Sequence, residues 1–340
     1  MRSVSLLSLL LIFTLLCPLL ASCDKESGSG EASTEEYEFT DISGIEAPLT
    51  LNGQEVPYSL FRYYLGAVIY HFDQGDESYW ETHDYSERMR NEALEYLQKY
   101  YAVISLAEEY GVELTEYELN EVESEFASVK YSYNTNYDFC EMLDSNYLDE
   151  DTYRDILKSD ALYNKLFAYL TSEDSGSQIK ASSSLALRFI ENYVCRAEHI
   201  LIVHSPGEDI NENETLISEI YGKLKSGEDF AELRKKYSED TDTADSDIGY
   251  YFTEGDIGLE FENIAFSLEE GAHSGIVEAP YGWHIIRRLP IDYDYVEENM
   301  DSFISFYQSH IFEIMLENEA KEQDIVLSES FHTYTPQTIK

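Results

Sequence analysis

Two short apolar runs, each with one histidine near its centre, constrain the fold of this chain more than any other feature. The first run extends from Arg196 to Ile202 and the second from Tyr281 to Ile286. β-Branched and aliphatic residues around a single polar group are typical of a buried strand. The sequence therefore predicts two central strands, each of which presents one imidazole, from His199 and His284.

The segment between these runs changes from a helical to a strand pattern and back. Leu216, Ile220 and Leu224 share a helical face, and Asp229 is suited to cap a second helix. The run 248–252 has the composition of a strand, and a third helical pattern passes through 261–266. The predicted order is strand, helix, helix, strand, helix, strand, strand.

These motifs resemble those of the parvulin rotamases. That family has the motifs R-A-x-H-I-L-V, F-A-x-L-A-x-x-Y-S, G-x-L-G, x-E-F-E-x-A-F and G-x-H-I-I, which match residues 196–202, 230–238, 247–249, 260–266 and 282–286. The resemblance implies an α+β fold class, with a four-stranded antiparallel sheet and surrounding helices. It also implies peptidyl-prolyl cis/trans isomerase activity without a cofactor.

The resemblance also implies which residues act. The catalytic residues implied by position are His199, Asp240 and His284. The substrate-binding residues implied by position are Ile257, Phe261, Phe266 and Trp283. The sequence departs from the family where Ile257 stands in place of a common methionine, where Ser246 replaces a glycine, and where 250–252 is one residue longer.

Metal binding is the less favoured interpretation of the histidines and of the acidic loop. His199, His204, His273 and His284 lack the close pair spacing of zinc motifs. A calcium loop starting at 240 would need a third ligand and a glycine where Ala244 and Asp245 stand, and a bidentate glutamate where Tyr251 stands. We therefore expect no metal site and a solvated loop.

The amino terminus has the layout of an export signal. Residues 3–22 are almost uncharged and follow Arg2. The run Leu20-Ala21-Ser22-Cys23 resembles a bacterial lipobox, which implies a signal peptide over residues 1–22 and a lipid on Cys23. The alternative is an uncleaved membrane anchor. Residues 23–45 are expected to form a flexible tether, since the polar stretch after Cys23 has little apolar surface to bury.

The charge balance excludes one class of partner. The chain has 22 basic and 68 acidic residues and a net charge of −46, whereas phosphate backbones are bound by Lys and Arg. Nucleic acid is therefore not expected as a partner. Cys140 and Cys195 remain after the signal and Cys23 are set aside, and two free buried thiols are favoured over a single bridge.

Helical periodicity dominates on both sides of the parvulin-like stretch. We predict a helical region over 46–180, a parvulin domain over 190–290, and a carboxy-terminal helix over 291–327 that packs on the first region. This arrangement resembles extracytoplasmic foldases of the PrsA and SurA type, in which the flanks form a chaperone module with the isomerase inserted. Pairing of two copies through the helical region stays open.

Two classes of function follow from the sequence. The favoured one is a lipid-anchored foldase on the outer face of the bacterial cell membrane, which isomerises Xaa-Pro bonds in unfolded exported proteins. The alternative is a chaperone whose parvulin-like domain grips peptides without turnover. A solute-binding protein is disfavoured because the sequence lacks two matched α/β halves.

Overall fold

A computed structural model of the protein describes residues 37–73, 80, 85–172, 178–203, 210–240, 246–279 and 282–339. These residues divide into two compact units. The central unit comprises residues 181–310, and the helical unit combines residues 37–180 with residues 311–339. The predicted signal segment and Cys23 lie outside the described residues.

The helical unit begins with a hairpin followed by a series of helices. Its elements before residue 180 are β1 (Leu49–Leu51), β2 (Gln54–Glu55), α1 (Tyr58–Asp73), α2 (Ser86–Tyr110), α3 (Glu116–Ser132), α4 (Asn136–Ser145) and α5 (Glu150–Thr171). Side-chain caps explain where several helices begin. Thr115 and Glu118 form a capping box at the start of α3, and Asp149 accepts from the backbone N–H of Thr152 to start α5.

The central unit has the predicted order of strands and helices. Its elements are α6 (Ser183–Tyr193), β3 (Cys195–Val203), α7 (Ile210–Lys225), α8 (Phe230–Tyr237), β4 (Tyr250–Phe252), α9 (Leu259–Ser267), β5 (Val277–Ala279), β6 (Gly282–Leu289) and α10 (Tyr293–Glu298). The helix α11 (Met300–Lys321) begins in the central unit and ends in the helical unit. The chain then forms β7 (Ile325–Leu327) and a 3₁₀ turn, Glu329–Thr333.

The sheet of the central unit is antiparallel, with strand order β4-β3-β6-β5. The two long strands are therefore the central ones, and the predicted α+β fold class is confirmed. Side chains alternate between the two faces of the sheet. One face packs Ile200 and Ile285 against α7 and α8, and the other packs Ala197 and Ile286 against α9.

A small sheet joins distant parts of the helical unit. β1 pairs with β2 across the Asn52-Gly53 turn, and on its other side β1 pairs with β7. The register aligns Leu49 with Leu327 and Leu51 with Ile325, all antiparallel. Residues after 311 thus fold together with the residues before 180.

The predicted range of the flexible tether, 23–45, extends too far at its carboxy-terminal end. Tyr37, Phe39, Ile42 and Ile45 pack against the core of the helical unit. The hydroxyl of Tyr37 and the backbone N–H of Thr40 both donate to Asp144, at 3.1 Å each. The aromatic and aliphatic residues in this part of the sequence explain the difference, because they supply apolar surface that a polar tether lacks.

The half of α11 that belongs to the helical unit buries a narrow apolar stripe. Ile314 lies outside this stripe, and 39% of its surface is exposed. The buried residues in this half of α11 are Phe312, Leu316 and Ala320, which follow an i, i+4 spacing. Packing in the helical unit therefore buries this narrow stripe and leaves Ile314 outside it.

Cys140 and Cys195 are both buried and free, as the sequence favoured. Burial raises the pKa of the Cys195 thiol to about 11, which keeps the thiol protonated near neutral pH. Across the described ranges, no helix combines the length and the apolar character needed to span a bilayer.

Candidate functional site

The centre of the site is a pair of imidazoles on the two central strands. In the β3–β6 register His199 lies opposite Ile286, and His284 lies opposite Leu201, so the two histidines are diagonal neighbours on one face. Their Nδ1 atoms are 2.9 Å apart and their rings are stacked with centroids 5.0 Å apart. Both side chains are buried, His284 completely.

Asp240 is brought to His199 by a segment that runs along β3. The hydroxyl of Ser238 accepts from the backbone N–H of Leu201, and the N–H of Glu239 donates to the carbonyl of Leu201. These bonds place the Asp240 carboxylate Oδ2 2.9 Å from Nε2 of His199. The structure thus brings together all three side chains that the resemblance implied as catalytic.

A fourth polar residue, Tyr250, was missed by the sequence analysis. Its hydroxyl donates to Oδ2 of Asp240 at 2.8 Å, and its ring meets that of His199 edge-on with centroids 5.7 Å apart. Tyr250 is the first residue of β4, in the segment that is one residue longer than the family pattern. The extra residue was visible in the sequence, but the hydroxyl's partner was not.

These contacts define where the protons lie. An ionised carboxylate only accepts hydrogen bonds, so Asp240 requires a proton on Nε2 of His199. In neutral His199 the Nδ1 atom is then an acceptor, and Nδ1 of His284 must carry the proton that they share. The carboxylate therefore fixes the tautomer of the first imidazole and, through it, that of the second.

The apolar side of the site comes from α9 and the loop before it. The Phe261 ring is 2% exposed and meets His199 and His284 edge-on, with centroids 5.4 Å and 5.7 Å away. Ile257 is partly buried and packs on the same cluster, as does Phe266, whose ring lies 5.7 Å from that of Phe252. Ile257 and Phe261 thus form an apolar surface beside the imidazole pair.

Trp283 does not belong to this surface. Its indole packs with Ile200, Ile202 and Ile285 in the core formed with α7 and α8. Neighbouring residues of a strand point to opposite faces, so Trp283 faces away from the side that His284 occupies. Trp283 therefore lies apart from the imidazole pair, as strand alternation already indicates, and its assignment to substrate binding stays a prediction.

A buried ionic cluster supports the sheet on the face opposite the histidines. Glu198 is 2% exposed and bonds both Arg234 of α8 and Arg287 of β6. Arg234 also bonds Asp247 at 3.1 Å. The Arg196 guanidinium of β3 donates to the backbone carbonyls of Ile248 and Asp247. Residues 247–248, which lead into β4, are thereby tied to β3 and α8.

No group of three or more His, Cys, Asp or Glu side chains is arranged to hold a metal ion in the part of the chain that the structure describes. Most of the acidic loop considered for calcium, residues 241–245, lies outside the described residues. His204 also lies outside them.

Comparison with protein families matches residues 199–289 to the PPIC-type PPIase domain, also called rotamase. The match begins at His199 within β3 and includes Asp240, α9 and the whole of β6. It therefore contains the imidazole pair, Asp240 and the apolar surface formed by Ile257 and Phe261.

Individual relatives extend the likeness. The chain is 34% identical to the foldase protein PrsA of Oceanobacillus iheyensis over 169 residues, which are 49% of this chain and 51% of that protein. It is 37% identical to the chaperone SurA of Hahella chejuensis over 93 residues, 27% of this chain and 21% of that one. The chain spans about half the length of the PrsA proteins that it matches.

A crystal structure of the peptidylprolyl isomerase PrsA from Bacillus anthracis shares 25% sequence identity, covering 66% of this chain and 96% of that chain, with a TM-score of 0.29. The family match, the sequence relatives and the geometry agree with one another. Residues 199–289 form a parvulin domain of the PPIC peptidyl-prolyl isomerase type, carried by a chain that is related to the PrsA foldases and SurA chaperones.

Proposed function

We propose that the central unit catalyses cis/trans isomerisation of Xaa-Pro peptide bonds, with His199, Asp240 and His284 as its catalytic residues. Ile257 and Phe261 hold the proline ring. The relatives are named as foldases and chaperones, and this supports unfolded exported proteins as the substrates.

Isomerisation requires no covalent chemistry from the side chains, only a suitable environment for the amide. Xaa-Pro bonds isomerise over tens to hundreds of seconds without help, because rotation breaks the amide resonance. A catalyst lowers this barrier by binding the twisted amide better than the planar one. An apolar contact for the ring and polar groups that are already oriented meet this need without a nucleophile.

The observation that carries the proposal is the continuous hydrogen-bonded chain from Tyr250 through Asp240 and His199 to His284, in contact with the ring of Phe261. Each polar group in it is held by a neighbour, so the site needs little reorganisation when the amide twists. Phe261 excludes water from one side, which strengthens the electrostatic interactions there.

A refolding assay limited by proline isomerisation tests the proposal on the full chain. We expect the wild-type protein to accelerate the slow refolding phase, and His199→Ala and Asp240→Ala to accelerate it much less. Wild-type rates equal to the uncatalysed ones would instead support the alternative, a chaperone that binds peptides without turnover.

The helical unit supplies an observation that favours a second, chaperone function beside the first. Most tyrosines of its core, such as Tyr63 and Tyr64, are buried and structural. Tyr117 and Tyr131 on α3 are instead 70% and 85% exposed. Exposed aromatic rings offer apolar contact while their hydroxyls stay hydrated, which suits a surface that binds varied unfolded chains. An aggregation assay with an unfolded client protein tests this. We expect the His199→Ala protein to suppress aggregation, and we expect weaker suppression when Tyr117 and Tyr131 are changed to serine.

The place of action follows from the amino terminus. An export signal over residues 1–22 and a lipid on Cys23 would hold the protein on the outer face of the cell membrane. The support is the Leu20-Ala21-Ser22-Cys23 run and the kinship with PrsA foldases. In a bacterial host, Cys23→Ser should move the protein from the membrane to the soluble fraction; unchanged membrane retention would contradict the lipid anchor.

A further inference from the structure

The loop that presents Ile257 is folded around a buried carboxylate. Glu262 lies in the first turns of α9, next to Phe261 in sequence, and only 4% of its surface is exposed. A buried charge must be compensated by partners, or it costs more than burial returns. The partners of Glu262 explain how the loop keeps its shape.

Three backbone amides converge on this carboxylate. Oε1 accepts from the N–H of Ile257 at 2.7 Å and from that of Gly258 at 3.2 Å, and Oε2 accepts from the N–H of Gly255 at 2.8 Å. Backbone N–H groups that point into one concavity form a nest for an anion. Here the anion is supplied by the chain itself.

The conformation of the loop depends on this arrangement. Gly255 and Gly258 have φ angles of +96° and +145°, which residues other than glycine adopt only with strain. An added Cβ would meet nothing within 4 Å at either position, so the requirement comes from the backbone turn and not from crowding. These turns aim the three amides inward, and without a negative group they would face one another unpaired.

A second carboxylate fixes the other side of the same loop. Oδ2 of Asp256 accepts from the N–H of Thr253 at 2.6 Å and from the Thr253 hydroxyl at 2.9 Å. Ile257 thus lies between a segment held by Asp256 and a segment held by Glu262. Its backbone position is defined by the Glu262 carboxylate, which is anchored in the helix that also carries Phe261.

We propose that Glu262 is a positioning residue for the proline site. It holds Ile257 beside Phe261 and so sets the affinity of the site for the proline ring, while taking no part in the rotation of the amide. The inference rests on the proposed function for its kinetic consequence, and on the geometry of the loop for its structural one.

The test replaces Glu262 with glutamine in the full chain. The amide nitrogen of Gln presents N–H donors to a backbone that already donates, so the nest opens and Ile257 shifts. We expect KM for a short Xaa-Pro peptide to rise about tenfold with kcat nearly unchanged, because binding common to the ground and transition states is lost. Glu260→Gln, the same change at an exposed position in the same helix, should leave both constants as they are.

A structural readout separates this inference from the proposed function. The methyl resonances of Ile257 and the amide resonances of Gly255 and Gly258 should move in the Glu262→Gln protein and stay in place in the Glu260→Gln protein. If the wild-type protein isomerises no peptide, the proposed function fails, while these resonances still report on the loop. Unchanged resonances together with an unchanged KM would overturn the positioning role.

The conservative variant Glu262→Asp keeps the charge and shortens the reach of the carboxylate. It takes the place of the glutamine variant if that variant fails to fold, as judged by the fluorescence of the buried Trp283 in a Trp80→Phe background. A KM raised above the wild-type value in the folded aspartate protein supports the proposal. A folded aspartate variant with wild-type KM and wild-type resonances would overturn it.

Discussion

The Nδ1 atoms of His199 and His284 lie 2.9 Å apart although the residues are 85 positions apart in the chain. Only the antiparallel register of β3 and β6 brings them together, with His199 opposite Ile286 and His284 opposite Leu201. A slip of one residue would move one imidazole to the other face of the sheet. The pairing of two strands thus determines whether the site exists.

Tyr250 should contribute to activity through Asp240. Tyr250→Phe removes one O–H donor from the carboxylate and keeps the ring that meets His199. A hydrogen bond to a charged acceptor in a partly exposed position contributes about 1 kcal/mol, so we expect kcat/KM to fall about fivefold. Steady-state isomerisation of a Xaa-Pro peptide measures this.

The neighbouring tyrosine provides the control. Tyr251 packs on Tyr295 and Phe303, on the opposite side of β4 from Asp240. Tyr251→Phe deletes the same hydroxyl from the same strand and should leave kcat/KM within about a factor of two, because it touches none of the site residues. Equal losses in the two variants would show that the Tyr250 hydroxyl has no specific role.

Glu198 should contribute strongly to the stability of the central unit. Its carboxylate is the shared partner of Arg234 and Arg287, and Glu198→Gln leaves two guanidinium groups without it. Removing one partner from a buried ionic cluster costs about 3 kcal/mol or more. Urea unfolding followed by Trp283 fluorescence, in a Trp80→Phe background that leaves one tryptophan, reports on this unit.

Asp247 offers a matched control for that experiment. It bonds the same Arg234 at 3.1 Å, but its side chain is 96% exposed. Exposed ion pairs contribute little, so Asp247→Asn should change the free energy of unfolding by less than about 0.5 kcal/mol. If the two substitutions lower the free energy of unfolding equally, burial does not explain the contribution of Glu198 to stability.

The sequence could predict the elements and the imidazole pair because both follow from local patterns. Apolar runs around a single histidine located β3 and β6, and the family motifs located Asp240. Trp283 is a different case: the resemblance implied it by position, while the period of a strand places it on the opposite face from its neighbour His284.

Other features depend on backbone geometry that residue patterns do not carry. The contact of Tyr250 with Asp240 requires the path of the chain between 240 and 250. The nest around Glu262 requires three amides to turn inward, and the flanking glycines, Gly255 and Gly258, were only an indirect signal of it. Packing likewise decides that Phe312 of α11 is buried while Ile314 is exposed, although both side chains are apolar.

The helical unit contains a carboxyl group whose ionisation should control its stability. Oδ1 of Asp160 on α5 is buried and, among the described residues, has no hydrogen-bond partner. Burial, reinforced by the charge of Glu125, raises the pKa of Asp160 to about 8. Burial and the same carboxyl together raise the pKa of the nearby Tyr63 above its ordinary value.

The sign of the effect follows from proton binding in the two states. An aspartate in the unfolded chain ionises near pH 4, so between about pH 4 and pH 8 the unfolded state has released a proton that the folded state keeps. Stability therefore falls as the pH rises through this window, and the full penalty is present above it.

Asp160→Asn removes the ionisation, so its melting temperature should exceed that of the wild type by an amount that grows from about pH 4 to about pH 8 and then levels off. Circular dichroism melts across this range measure the difference. Asp155→Asn, an exposed change on the same helix, should give an offset that varies little with pH; an equally flat offset for Asp160→Asn would show that this carboxyl is already ionised in the folded protein.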